Sequence, residues 1–100
     1  MVKHIVMFKL KEFDSNEEKK EVLNNIKTSL EALIDKIDVL KKIEVNFNCN
    51  PAETWDLILT TELATLEYVA TYANHPEHVF VAKKIIGPVK VDRACVDYEY

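Results

Sequence analysis

Glycine is almost absent: in 100 residues there is one, Gly87. A phosphate-cradling loop or a dinucleotide fingerprint needs several glycines so that backbone can approach the ligand closely, and nucleotide chemistry of that kind is therefore excluded. Cysteine is scarce as well. Cys49 and Cys95 stand apart from each other and from any histidine at metal-ligand spacing, so the chain has no disulfide framework. No run approaches the roughly 18 uninterrupted apolar residues of a membrane span, which argues against a membrane protein. The opening MVKHIVMFKLKE does not read as a signal peptide, because Lys9 and Lys11 interrupt it and no small-residue cleavage site follows. A reducing, cytoplasmic location is the expectation from these absences together. Positive charge is not in surplus either: 13 Lys and Arg face 17 Asp and Glu for a net charge of −4. The basic residues are scattered, which argues against phosphate-driven nucleic-acid binding.

What the chain does have is apolar bulk, 48% of its residues. Folding at this length hides roughly two thirds of the unfolded surface, enough for one core but not two. A single domain over residues 1–100 follows. Residues 2–10 place His4, Val6, Phe8 and Leu10 on one face of a strand and Ile5 and Met7 on the other, so both faces are largely apolar. Ser15 followed by Glu18 is a capping-box spacing, and Leu23, Ile26, Leu30, Leu33 and Ile37 then recur at steps of three and four. This predicts a helix of about 20 residues with Lys, Glu and Asn on its solvent face. Residues 42–48 switch to period two with Ile43, Val45 and Phe47 inward, and Asn48, Asn50 and Pro51 mark a turn. Residues 55–63, with Leu57, Ile58 and Leu59 in succession, predict a strand apolar on both faces.

Thr65 is an N-cap candidate for a short helix buried through Leu66, Val69, Ala70 and Ala73, with Tyr68 and Tyr72 flanking that stripe. Pro76 breaks it and suits the start of a second segment over 76–86, which stops at Gly87-Pro88 with the glycine in the left-handed C-terminal position. Residues 89–100 alternate as a last strand with Ala94, Val96 and Tyr98 on one face. The order β-α-β-β-α-β is that of an α+β, ferredoxin-like fold: a four-stranded antiparallel sheet with both helices on one face. The other sheet face is left bare. Its apolar residues predict a homodimer with sheets packed face to face.

The three histidines are the candidates for chemistry. His4 lies on the longer apolar face of the first strand. His78 shares a helix side with Ala82 and Ile85 in the first turn of the last helix, where the positive helix end and burial both favour the neutral ring. A neutral imidazole is a usable general base, and Tyr72 on the preceding helix could place a phenol beside it. Each has a plainer reading: His4 as a hydrogen-bonded core histidine, Tyr72 as a packing ring with a wet hydroxyl, His75 as the cap before Pro76. His75-x-x-His78 plus His4 would offer zinc three imidazoles. The intervening Pro76 and the lack of a cysteine partner at matching spacing weigh against it, and neither metal nor cofactor is expected. Trp55 and Phe80 read as packing or dimer residues, and Glu77 as a first-turn carboxylate.

VKHIVMFKLK at the start, YANHPEHV at 72–79 and VDYEY at the close resemble the stress-responsive α/β-barrel (Dabb) family over essentially the whole chain. The most specific parts are the Lys3-His4 dyad and the HPxH run at 75–78. The resemblance implies a dimeric α+β barrel. It implies a mixed range of roles, from plant stress-induced proteins to a plant polyketide cyclase that performs an intramolecular aldol condensation. In that cyclase, residues matching His78 and Tyr72 are the base and its assistant, and one matching His4 lines the pocket. His78 and Tyr72 are thus candidate catalytic residues, and His4 and His75 candidate contacts to an apolar small molecule. The functional expectation is a dimeric barrel protein with a small-molecule pocket at His4, Tyr72 and His78 and no assigned role. The alternative is a cofactor-independent cyclase or lyase with His78 as base. Similar barrels also serve haem-degrading and cofactor-free oxygenases, an analogy of fold alone.

Overall fold

Alternation in the opening segment sets the centre of the molecule. Strand β1 (Val2–Leu10) buries Val2, His4, Val6, Phe8 and Leu10 and leaves the residues between them half-buried, the period of two that a pleated strand imposes. The computed structural model describes every residue from Met1 to Tyr100. Strand β3 (Leu57–Leu63) repeats the pattern with Leu57, Leu59, Thr61 and Leu63 inward. It pairs antiparallel to β1, with Val2 opposite Leu63 and Phe8 opposite Leu57. Strand β2 (Leu40–Phe47) flanks β3, and β4 (Lys90–Glu99) flanks β1, in the order β2-β3-β1-β4. The four-stranded antiparallel sheet and the ferredoxin-like element order are those expected from the sequence.

Helix α1 (Asn16–Glu31) starts where the capping box places it: Ser15 Oγ accepts the Glu18 amide at 3.1 Å. Ile26 and Leu30 are buried, and the stripe continues through Leu33 in a 3₁₀ turn (Ala32–Asp35) to Ile37. Lys27 and Glu31, expected on the solvent face, close the outer edge of β2 instead. Glu31 accepts the Val45 amide at 3.0 Å while Lys27 donates to the Val45 carbonyl at 2.5 Å and to Glu31 at 2.8 Å. An edge strand that would otherwise offer unpaired backbone is thereby covered. The Lys27 hydrogen bond, with the Val45 amide, holds the Glu31 carboxyl below the usual range against the opposing effect of burial.

Several local expectations need correction. Strand β2 begins at Leu40, because an irregularity between Leu40 and Lys42 hides the start of its alternation. Phe47, expected inward, is 37% exposed at the strand's end. Helix α2 (Leu66–Asn74) is capped by Thr65, whose hydroxyl accepts the Tyr68 amide at 3.1 Å. Its buried residues are Val69 and Tyr72, whereas Leu66 is 62% exposed and Ala70 is also exposed. A helix this short buries one narrow side, and turning the large Tyr72 ring inward hides more apolar area than two alanines would.

Helix α3 (Pro76–Phe80) runs into a π-helical segment, Val81–Ile86, that the sequence did not suggest. The Gly87 amide closes it on the Ala82 carbonyl at 2.8 Å. Gly87 is right-handed, with φ −49° and ψ −45°, and not left-handed as expected. It is required for a different reason: a Cβ there would meet the Lys83 carbonyl oxygen at 2.8 Å and that of Ala82 at 3.2 Å. On the sheet face away from the helices, Ile5 lies opposite Val96, and Met7 lies opposite Ala94 and Ile58. That apolar face has no cover within the chain.

Candidate functional site

The site is built where β1, α2 and α3 meet. The Pro76 break between the helices turns α3 so that His78 returns toward the end of α2, and its Nδ1 lies 2.9 Å from the Ala73 carbonyl oxygen. A carbonyl can only accept, so Nδ1 carries the proton. In the neutral ring the basic lone pair is therefore on Nε2. Burial lowers the His78 pKa below its ordinary value. The Ala73 bond opposes this, and the positive charges of His4, Arg93 and His75 add to the lowering. His78 is thus a half-buried, neutral imidazole with one nitrogen fixed and the other available near pH 7.

The Tyr72 ring lies 4.5 Å from the His78 ring, tilted by 51°, and 6.2 Å from the His4 ring in an edge-on arrangement. All three side chains are therefore brought together. Tyr72 is fully buried, its hydroxyl has no hydrogen-bond partner, and burial pushes the phenol pKa upward. The reading of Tyr72 as a packing ring with a wet hydroxyl fails on this point. His4 is 8% exposed, and its Nδ1 lies 2.5 Å from Asp97 Oδ1 and 3.5 Å from Cys95 Sγ. The Thr61 hydroxyl donates to the His4 carbonyl at 3.0 Å and fixes the backbone beneath the ring.

His4 and His78 stand on the wall of a cavity of about 130 Å³ whose apolar floor includes Val6, Phe8, Leu30 and Leu59. Lys90 and Arg93, both exposed, are on the same wall, so the cavity meets solvent along β4. Tyr72 backs the imidazoles and is not on that wall. His75 is placed elsewhere: its Nδ1 accepts the Glu77 amide at 3.1 Å as the cap of α3, and it does not line the cavity. A wider groove of about 470 Å³ passes Met1, Leu66 and Tyr98 but brings no imidazole to its wall. Asp97, Cys95, Arg93 and Lys90 are the site residues that sequence reasoning missed. Alternation in β4 puts Cys95 and Asp97 on the face opposite Val96, but their meeting with His4 depends on the β1/β4 register.

The stress responsive A/B barrel domain, Dabb, matches residues 2–100. The chain belongs to the Dabb family. A dimeric protein of unknown function with a ferredoxin-like fold from Bacteroides fragilis is 52% identical, over 99% of this chain and 95% of that one, with a TM-score of 0.90. A Dabb family protein with a ferredoxin-like fold from Mesorhizobium loti is 23% identical over 99% and 95% of the two chains, with a TM-score of 0.76. The hydroxynitrile lyase from Passiflora edulis shares the fold at 15% identity, over 97% and 90% of the chains, with a TM-score of 0.74. No curated protein matches. The Dabb fold and the description of the Bacteroides fragilis relative as dimeric agree with the expectation from sequence, and that relative's unknown function leaves the chemistry to be argued from the site.

Proposed function

We propose that this Dabb protein binds a small carbonyl compound in the His78 cavity and that His78 Nε2 removes a proton from the carbon next to the carbonyl. The observation that carries this reading is the His78 Nδ1 contact to the Ala73 carbonyl at 2.9 Å. It fixes the tautomer, and burial keeps the ring neutral, so the basic form is present at neutral pH. Tyr72 serves by packing against His78 and holding its plane, and His4 and Arg93 supply positive or donor groups on the wall for the oxygen that becomes negative. A volume of about 130 Å³ is below the range of roughly 300–1,000 Å³ that drug-sized ligands occupy, which points to a compact substrate.

The same reading includes a homodimer formed through the bare sheet face, with Ile5, Met7, Ile58 and Val96 at its centre. The dimeric descriptions of relatives support it. Solvent-deuterium exchange at the α-carbon of small ketones, followed by NMR, tests the chemistry. Wild type should accelerate exchange, and His78→Ala should reduce the rate by about 10²–10⁴-fold, the usual worth of a general base. Exchange that is unchanged in His78→Ala would remove the base role. Binding of the ketone with no exchange above buffer in wild type would leave a binding protein without catalysis.

A further inference from the structure

We infer that His4, Cys95 and Asp97 form a binding site for one divalent metal ion of the zinc class, with the fourth coordination position open. The inference needs nothing from His78 and shares only His4 with the proposed proton-abstraction site. The three ligand atoms lie within 4.8 Å of one another, with His4 Nδ1 2.5 Å from Asp97 Oδ1 and 3.5 Å from Cys95 Sγ. Strand geometry makes the cluster. Residues two apart on β4 project to one face, and His4 is the register partner of Asp97 on the neighbouring strand. Two ligands from one strand and one from the next make a triangle on a single side of an ion, leaving its other side free.

Distances and donor chemistry agree. Tetrahedral zinc, with bonds of about 2.0–2.1 Å to nitrogen and about 2.3 Å to sulfur, separates those two ligand atoms by roughly 3.5 Å, and the His4–Cys95 separation is 3.5 Å. The His4–Asp97 separation is a hydrogen bond's, so the ion requires the carboxylate to swing back by roughly 1 Å. Asp97 has room to do so, its side chain being 34% exposed on an edge strand. Imidazole, thiol and carboxylate together suit a borderline ion such as Zn(II) or Co(II), whereas Mg(II) and Ca(II) take oxygen ligands.

Proton accounting is simple. Burial and the Asp97 carboxylate keep the Cys95 thiol protonated in the metal-free chain. A dication in the triangle reverses that preference, since a coordinating thiol is deprotonated outright. His4 coordinates through the Nδ1 lone pair, any proton there leaving as the ion binds, and the thiol releases one proton to solvent. Thiolate and carboxylate then balance the charge of the ion.

Cobalt(II) titration of the full chain tests the site, with the near-ultraviolet thiolate-to-cobalt band as the signal and zinc as the displacing ion. One ion per chain should bind. The band should be present in wild type and in Cys49→Ser, absent in Cys95→Ser, and in Asp97→Asn should need more than about tenfold higher cobalt, the loss that even an outer-shell partner can cause. Circular dichroism of each variant confirms folding, and Asp97→Asn, on an exposed edge, keeps the test available if Cys95→Ser misfolds. No band in wild type together with no zinc retained on equilibrium dialysis would overturn the site. So would a band that persists in Cys95→Ser and vanishes in Cys49→Ser. Neither result bears on exchange by His78.

Discussion

Tyr72→Phe should make this protein more stable. The substitution keeps the ring that fills the space between His4 and His78 and deletes only a hydroxyl that is fully buried and has no hydrogen-bond partner. Burying an unpaired hydroxyl costs about 1–3 kcal/mol, and removing it returns that cost without opening a cavity larger than one oxygen atom. An increase of about 1–2 kcal/mol follows, which for a domain of this size is a rise of roughly 4–8 °C in Tm per kcal/mol. The assay is thermal and urea unfolding at one fixed protomer concentration, because a dimer's apparent stability changes with concentration. Tyr72→Ala is the control and should lose about 3–5 kcal/mol, since it removes the ring itself. A loss of about 1 kcal/mol or more in Tyr72→Phe would refute the reasoning, because it would mean that the hydroxyl has a partner. Under the proposed function the same variant should retain most exchange activity, as the ring and not the hydroxyl sets the plane of His78.

The His78 pKa is lowered in the folded chain from an ordinary 6.5, so its contribution to stability is complete above about 6.5 and is lost as the pH falls through the folded value. Urea midpoints taken between about pH 7.5 and about pH 5 should fall more for wild type than for His78→Gln, and equal falls would contradict the assignment. Static light scattering should give twice the 11.6 kDa chain mass. Ile5→Asp or Met7→Glu should shift the protein to monomer, weakening association by more than about tenfold, because an unpaired charge would be buried between the sheets. Gly87→Ala should cost about 1–3 kcal/mol, as overpacking does, because its Cβ would meet the Lys83 carbonyl at 2.8 Å. A Tm equal to wild type would show that the π-helical segment relaxes freely.

Local patterns were legible wherever one neighbour dominates. Ser15 and Thr65 were readable as caps because the partners, Glu18 and Tyr68, are three residues away. The alternation of β1 was readable because burial on one side forces period two, and β3 was readable as a strand from its apolar run at Leu57, Ile58 and Leu59. The short helix was not, since Leu66, Val69, Ala70, Tyr72 and Ala73 allow two stripes, and only packing selects the one with Tyr72 inward. Gly87 was read as a left-handed stop, the common use of glycine there, whereas a π-helical segment six residues long gives it a steric task instead. Of the site, His78 and Tyr72 were legible as neighbours across one helix break. His75 is seen at its cap and away from the cavity.

Sequence alone determined the element order, the bare apolar sheet face and the three histidines as the chemical inventory, because periodicity, capping and composition are local or additive properties. Tertiary structure decided which nitrogen of His78 is basic, that the Tyr72 hydroxyl is sealed without a partner, and that His4 meets Asp97 and Cys95. Those contacts depend on the register of β1 against β4, strands at opposite ends of the chain. A slip of one residue would send every side chain to the other face, and no local pattern in either strand specifies the pairing.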